Sequence, residues 1–423
     1  MIGNYKPTIF PIVEIIGLIT GIIVVCAIFS YLNVRFLKLP SAIGLMLISL
    51  ICSLIIIAEG KFSSTFHSYL EGALKEINFS ETLLNVMLGF LLFSGSLHVN
   101  LARMKEQRNA VLAFSTLGVI LSLFFFGSIM WLVFQLFGAN IPYIYCLWFG
   151  TLVSPTDPIA VIGILKKSNM PKEIEATING ESLFNDGVGV VFFVTMGQII
   201  ERGIENLSSL DVLLLFGREV AGGIALGLTL GYLSYYFIRK IDHYQTEVLI
   251  SLALVLLSGQ LAHVLHVSGP LAVIVIGLIL GNKVSNTAMS EVTRDYHHKF
   301  WELIDEFLNA ILFVLIGFQM VLLPFITQYL VIGVLAIVIL LFCRFLSIRI
   351  PIFFLKDKQL FNNRTAMIMT WGGLRGGLSI ALTLSLPENP YKEIMVSITY
   401  IIVIFSILVQ GLSTGKLVKA LYK

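Results

Sequence analysis

Apolar stretches of about eighteen residues or more, with few or no charges, recur along almost the whole chain. That is the length an α-helix needs to cross the roughly 30 Å hydrocarbon core of a bilayer. Read with Gly, Pro and charge clusters as punctuation, they fall at about 8–31, 40–58, 82–100, 109–137, 142–165, 178–200, 210–238, 246–266, 268–281, 300–323, 327–350, 363–386 and 392–415. The predicted fold is therefore an all-α polytopic membrane protein of about 13 transmembrane helices, embedded in the lipid bilayer, with the ninth the shortest. Only 13% of the 423 residues are charged, against about a quarter in a soluble domain. A globular enzyme and a separate soluble domain are both excluded on that arithmetic. The first run carries Glu14 and no small-residue cleavage site, so it reads as a span and not as a signal peptide. There is no basic arm for nucleic acid. Cys26, Cys52, Cys146 and Cys343 sit in apolar runs without metal-ligand spacing and read as inert packing.

The basic residues give an independent test of the span count, because Lys and Arg concentrate in cytoplasmic connections. Of the 28 Lys and Arg, all but eight fall in one set of alternate connections and span ends, from Arg35 and Lys38 through Arg239, Lys240 and Lys283 to the Lys416–Lys423 tail. The opposite set holds Lys6, Lys61, Lys75, Arg202, Arg218 and Lys392. Arg344 and Arg375 remain inside spans. The alternation predicts an N-terminus outside and a C-terminus in the cytoplasm. With an odd span count, spans 1–6 and 8–13 would have opposite orientations, the inverted-repeat plan of many secondary transporters.

In that plan span 5 corresponds to span 12, and both are interrupted. Span 5 contains Ser154-Pro155-Thr156-Asp157-Pro158, and span 12 contains Trp371-Gly372-Gly373-Leu374-Arg375-Gly376-Gly377. A break facing lipid would strand backbone groups, so matched breaks point to a site between helices near the midplane. The ionisable residues inside the spans gather there: Asp157, Glu181, Asp186, Arg344 and Arg375. Each charge at a helix centre costs about 2.5–3.5 kcal/mol, so pairing is required. Three acids against two bases leave one carboxylate for a mobile cation or a proton. Ser182 and Asp186 are four apart and share a helix face, as do Glu181 and Asn185 on the next stripe. A carboxylate with a hydroxyl and an amide nearby offers hard oxygen ligands suited to Na⁺ or Li⁺, to which Thr156 can add a hydroxyl or a freed carbonyl. Glu181 and Arg344 are expected to pair, Arg375 to neutralise helix C-terminal dipoles at the crossing, and Asp157 and Asn185 to brace the broken helices. These assignments place Glu181 and Asp186 in the first turns of span 6. Glu302, Asp305 and Glu306 are read as first-turn acids of span 10. The seven histidines are expected in connections or near span ends, with His98 and His263 making ordinary hydrogen bonds.

The segments Ser154-Pro155-Thr156-Asp157-Pro158, Glu181-Ser182-Leu183-Phe184-Asn185-Asp186-Gly187, Phe300-Trp301-Glu302 with Leu308-Asn309-Ala310-Ile311-Leu312-Phe313, and Gly372-Gly373-Leu374-Arg375-Gly376 together resemble the cation–proton antiporters of the NhaP/NHE type. The resemblance covers nearly the whole chain. It implies a homodimer in the plasma membrane, with residues 1–100 and 246–323 as dimerisation scaffold, 101–209 and 324–418 as ion-carrying core, and 210–245 as a linker helix. It further implies that Asp186 is the shared Na⁺/H⁺ carboxylate, with Ser182, Thr156 and Asp157 completing the site and Glu181 pairing with Arg344. The Asn185-Asp186 pair looks like the electroneutral branch. No cofactor is expected, since Na⁺ or Li⁺ and H⁺ would be transported substrates. The chain ends soon after span 13, so regulation by a soluble tail is not expected. A K⁺/H⁺ exchanger of the same fold remains open, as does a cation channel. The single surplus carboxylate between two broken helices fits a carrier better than a continuous pore.

Overall fold

The structure is a computed structural model that describes residues 10–60, 72, 79–157, 170–322, 326–355, 357 and 360–421, with the side chains of 10–16, 60, 79 and 204 left aside. The main helices are α1 (Phe10–Leu32), α2 (Ser41–Gly60), α3 (Ser80–Leu97), α4 (Arg108–Leu136), α5 (Tyr143–Val153), α6 (Lys172–Arg202), α7 (Ser209–Ile238), α8 (Tyr244–Leu265), α9 (Gly269–Thr287), α10 (Glu291–Leu322), α11 (Thr327–Phe354), α12 (Asn363–Gly372), α13 (Gly377–Leu384) and α14 (Lys392–Leu421). Eleven helices among the described residues are long and apolar enough to cross a membrane. The runs expected at 142–165 and 363–386 take another form. The first is α5 followed by an extended stretch to Asp157, and its remainder, with Pro158, Lys166 and Lys167, lies outside the described residues. The second is split into α12 and α13.

Two compact units are present. The smaller comprises Met1–Asn78 with Phe307–Leu323. Within it the Asn33 side chain ties the α1–α2 connection, donating to the Leu39 carbonyl at 2.9 Å. Small residues let α2 and the last turns of α10 touch at backbone distance, with Ser53 Oγ donating to the Gly317 carbonyl at 2.8 Å. The larger unit comprises Phe79–Glu306 with Pro324–Lys423. In it α7 lays Gly223, Gly227 and Gly231, spaced by four, against α9. A Cβ on Gly227 would lie 2.6 Å from the Ala272 carbonyl oxygen. Without hydrophobic drive between helices in lipid, such close backbone contact is what holds them together.

The chemistry of each break is local. Pro155 has no N–H and disfavours helix at Ser154, so α5 stops at Val153. Gly373 and Gly376 sit where a side chain would be crowded. A Cβ on Gly373 would be 3.1 Å from both Arg344 Nε and Thr156 Cγ2, and one on Gly376 would be 2.8 Å from Asp157 Oδ2. The two extended stretches meet in the single antiparallel bridge among the described residues, the Asp157 N–H donating to the Leu374 carbonyl at 2.8 Å.

Two expected helix starts are corrected. α6 begins at Lys172 behind Pro171, so Asp186 lies about four turns into the helix and not in its first turns. α10 begins at Glu291, so Glu302, Asp305 and Glu306 are mid-helix, beyond reach of the terminal dipole. In both cases the opening turns are polar or amphipathic. Hydropathy detects where a helix enters lipid, whereas capping and backbone hydrogen bonds decide where it begins. Glu173 and Glu175 occupy the favourable first turn of α6 instead.

Candidate ion-binding site

The site forms where α6 and α11 pack against the two breaks. One turn of α6 presents Glu181, Ser182, Asn185 and Asp186, while a close approach sets its distance from the α5 break: a Cβ on Gly189 would be 2.4 Å from Pro155 Cγ. Arg344 of α11 meets Glu181 in an ion pair of 2.9 Å, with both side chains at most 3% exposed. Asn185 Nδ2 donates to Glu181 Oε1 at 2.8 Å and to Thr156 Oγ1 at 2.7 Å, and its Oδ1 accepts the Thr156 N–H at 3.3 Å. Thr156 Oγ1 also lies 3.4 Å from Arg344 Nη2 and donates to Glu181 Oε1 at 3.5 Å. Ser182 Oγ donates to the Thr156 carbonyl. Glu181, Asn185, Arg344 and Thr156 thus form one network that joins α6, α11 and the α5 break, in which Arg344 Nε and Nη1 are buried with no hydrogen-bond partner among the described residues. A cavity of about 10 Å³ lies beside it, lined by Thr156, Glu181, Gly372 and Gly373 among others.

The two breaks exchange charges. Arg375, between α12 and α13, reaches the end of α5, where Nη1 donates to the Ser154 and Pro155 carbonyls at 2.5 and 2.6 Å. These carbonyls are the partially negative end of a helix that Pro155 prevents from continuing. Asp157, from the α5 break, lies with its carboxylate against Gly376, the residue that opens α13. The partially positive helix end therefore has an acid beside it, and each broken segment supplies the countercharge for the other.

Asp186 differs from the rest. It is partly exposed, as is Asp157, whereas Glu181, Ser182, Asn185, Thr156, Arg344 and Arg375 are buried. Its carboxylate makes no hydrogen bond or ion pair among the described residues, and the charges acting on it are Asp157, Glu181 and Arg375. All eight residues singled out from the sequence are thus brought into one cluster or its immediate electrostatic surroundings.

A second polar cluster was not foreseen. His297, expected in a connection, is buried in α10. Its Nε2 is 3.1 Å from Ser251 Oγ, which also accepts the Trp301 indole N–H at 3.0 Å. The His98 and His298 rings lie 5.2 Å apart nearby, and His98 Nδ1 lies 2.8 Å from the Ser94 carbonyl. The available signal was the four-residue spacing of His297 and Trp301 on a helix that starts earlier than hydropathy suggests.

Two interrupted helices crossing around buried charges, in a protein of long apolar helices, define a polytopic secondary transporter. Comparison with known proteins narrows the class: the chain belongs to the sodium/hydrogen exchanger transmembrane family, which it matches over residues 22–420. It is 43% identical to the Na(+)/H(+) antiporter NhaP of Pseudomonas aeruginosa over 415 residues, covering 96% of this chain and 97% of that protein. It is 30% identical to the Na(+)/H(+) antiporter NhaH of Halobacillus aidingensis, covering 92% and 93% respectively. The fold matches that of the sodium proton antiporter MjNhaP1 of Methanocaldococcus jannaschii with a TM-score of 0.74 at 20% identity, over 97% of this chain and 99% of that one.

Proposed function

We propose that this protein exchanges Na⁺ for H⁺ across the membrane by competition of the two ions for Asp186. The observation that carries the reading is that Asp186 has no hydrogen-bond or ion-pair partner among the described residues, while its neighbours are engaged with one another. A carboxylate left unneutralised at membrane depth is costly. Either Na⁺ or H⁺ removes that cost, and the two cannot bind together. In this reading Ser182 Oγ, the Thr156 oxygens and Asp157 complete the oxygen set around Na⁺. The hydrogen bond from Ser182 to the Thr156 carbonyl holds two of these oxygens together, so Na⁺ entry replaces that bond with two ion contacts. Glu181, Asn185 and Arg344 fix the helix that carries Asp186, and Arg375 fixes the end of α5. Their role is to keep the site's geometry while its occupant changes.

The core crosses only when loaded, which couples the two fluxes, and alternating access comes from rigid movement of core against scaffold. The resemblance supports a scaffold of residues 1–100 and 246–323, a core of 101–209 and 324–418, and a linker of 210–245. The compact units of the fold group residues by packing, whereas scaffold and core group those that move together. The inverted six-helix repeats, a homodimer, one Na⁺ exchanged per H⁺, and a plasma-membrane location with the N-terminus outside and the C-terminus in the cytoplasm belong to the same proposal. It is supported by the relatives that are Na⁺/H⁺ antiporters and by the sorting of basic residues. The test is a dye-based measurement of proton movement in everted vesicles, with Na⁺, Li⁺ and K⁺ added in turn across pH. Na⁺-driven proton efflux is expected; a response to K⁺ alone, or flux that neither saturates nor moves protons, would overturn the reading.

A further inference from the structure

Away from the ion site, the end of α6 and the start of α7 enclose an open groove of about 420 Å³ lined by Arg202, Asn206, Leu207, Asp211, Leu214, Leu215 and Arg218. Its two arginines come from the side of the membrane that holds few basic residues, so their convergence is not a by-product of a basic face. Arg218 lies nine residues into a transmembrane helix, about 14 Å along its axis from Ser209. It is exposed on that helix's surface together with Leu210, Leu213 and Leu214, which are 60–66% exposed. One of its donors, on Nη2, goes to the Leu265 carbonyl at 2.9 Å. The rest of the guanidinium and all of that of Arg202 make no hydrogen bond or ion pair among the described residues. A cation on a lipid-facing surface is costly unless an anion joins it.

The acids neutralise only part of the groove: Asp211 lies in the field of Arg202, and Glu219, next in sequence to Arg218, lies in that of Arg218. Asp211, the one acid in the lining, accepts from the Ser208 N–H at 2.9 Å and lies 2.7 Å from Ser208 Oγ, closing the capping box of α7. Glu219 is buried on another face of α7, and Glu201 and Glu205 are exposed outside the lining. The lining itself therefore carries two cations against one carboxylate, a surplus of one positive charge.

We propose that this groove binds the headgroup of an anionic phospholipid, its phosphate bridging Arg202 and Arg218 and its acyl chains covering Leu210, Leu213 and Leu214. Guanidinium groups bind phosphate oxygens in bidentate geometry, and the charge surplus of the lining matches a headgroup of net charge minus one. The leucines select a lipid over a free anion, because a soluble phosphate would leave that apolar surface uncovered. Arg202 is the last residue of the helix that carries Glu181, Ser182 and Asp186. The lipid would therefore clamp the end of that helix to α7.

The experiment is thermal unfolding of the detergent-purified protein titrated with dioleoyl phosphatidylglycerol, dioleoyl phosphatidylcholine or inorganic phosphate. Phosphatidylglycerol should raise Tm in a saturable manner, and phosphatidylcholine should not. Arg202→Gln removes a side chain with no hydrogen bond or ion pair among the described residues and should raise the half-saturating lipid concentration by about tenfold, the loss of one charge-assisted contact. Arg202→Gln/Arg218→Gln should abolish the response, whereas Arg239→Gln/Lys240→Gln, at the other end of α7, should keep it. Equal stabilisation by phosphatidylcholine, the same shift from inorganic phosphate alone, an undiminished response in Arg202→Gln, or its loss in Arg239→Gln/Lys240→Gln would each overturn the assignment.

Discussion

Replacing Arg344 by Ala removes a guanidinium 2% exposed and leaves Glu181, 3% exposed, without its ion partner. Breaking one side of a buried pair costs about 3–5 kcal/mol, because the remaining charge stays desolvated. Two features of the site set the position within that range. Asn185 Nδ2 still donates to Glu181 Oε1 at 2.8 Å, which lowers the cost. The lost side chain also leaves an unfilled volume beside Gly373, where a Cβ would lie 3.1 Å from Arg344 Nε, which raises it. We expect about 4 kcal/mol. With an unfolding entropy of roughly 2.1 cal/mol/K per residue, a chain of 423 residues loses about 4–5 °C in Tm. The assay is thermal unfolding in detergent, with Glu181→Gln introduced into the same background. A neutral amide still accepts the Asn185 bond and no longer needs a cation, so the double variant should recover more than half of the loss. An unchanged Tm in Arg344→Ala, or effects of the two substitutions that add within about 0.5 kcal/mol, would refute the pair as the brace of the site.

Three further outcomes are expected. Asp186→Asn should abolish Na⁺-driven proton movement in vesicles while Tm stays within a degree or two of wild type, because Asp186 has no hydrogen bond or ion pair among the described residues to lose; persistent exchange would remove Asp186 from the mechanism. Exchange should fall on the acid side, where protons occupy Asp186, and again on the alkaline side, where proton loading limits the return step. On the acid limb the half-saturating Na⁺ concentration should rise about tenfold per pH unit, as direct competition for one deprotonated ligand requires; a value independent of pH would rule out a shared site. Gly189→Ala places a methyl 2.4 Å from Pro155 Cγ and should cost about 1–3 kcal/mol in stability while lowering transport, whereas Gly217→Ala, where a Cβ meets nothing within 4 Å, should be silent in both assays.

The sequence by itself determined the membrane class and the composition of the charged cluster. Lipid tolerates only self-satisfied helices and few unpaired charges, so apolar runs mark the spans and the rare ionisable residues within them mark the site. The pairing of Glu181 with Asn185 was legible because an α-helix sets residues four apart on one face. The breaks were legible because Pro155 and the Gly372-Gly373 and Gly376-Gly377 pairs act on the backbone locally. Tertiary structure alone decided which charge meets which helix end. Arg375 on the α5 carbonyls and Asp157 beside α13 are contacts between segments more than two hundred residues apart, and no local rule encodes them. It also decided where α6 and α10 begin, since their polar opening turns are invisible to a scale that measures transfer into lipid. The convergence of Arg202 and Arg218 on one groove and the burial of His297 beside Ser251 and Trp301 followed the same division. Sequence period fixes which face a side chain occupies, and packing alone fixes what that face meets.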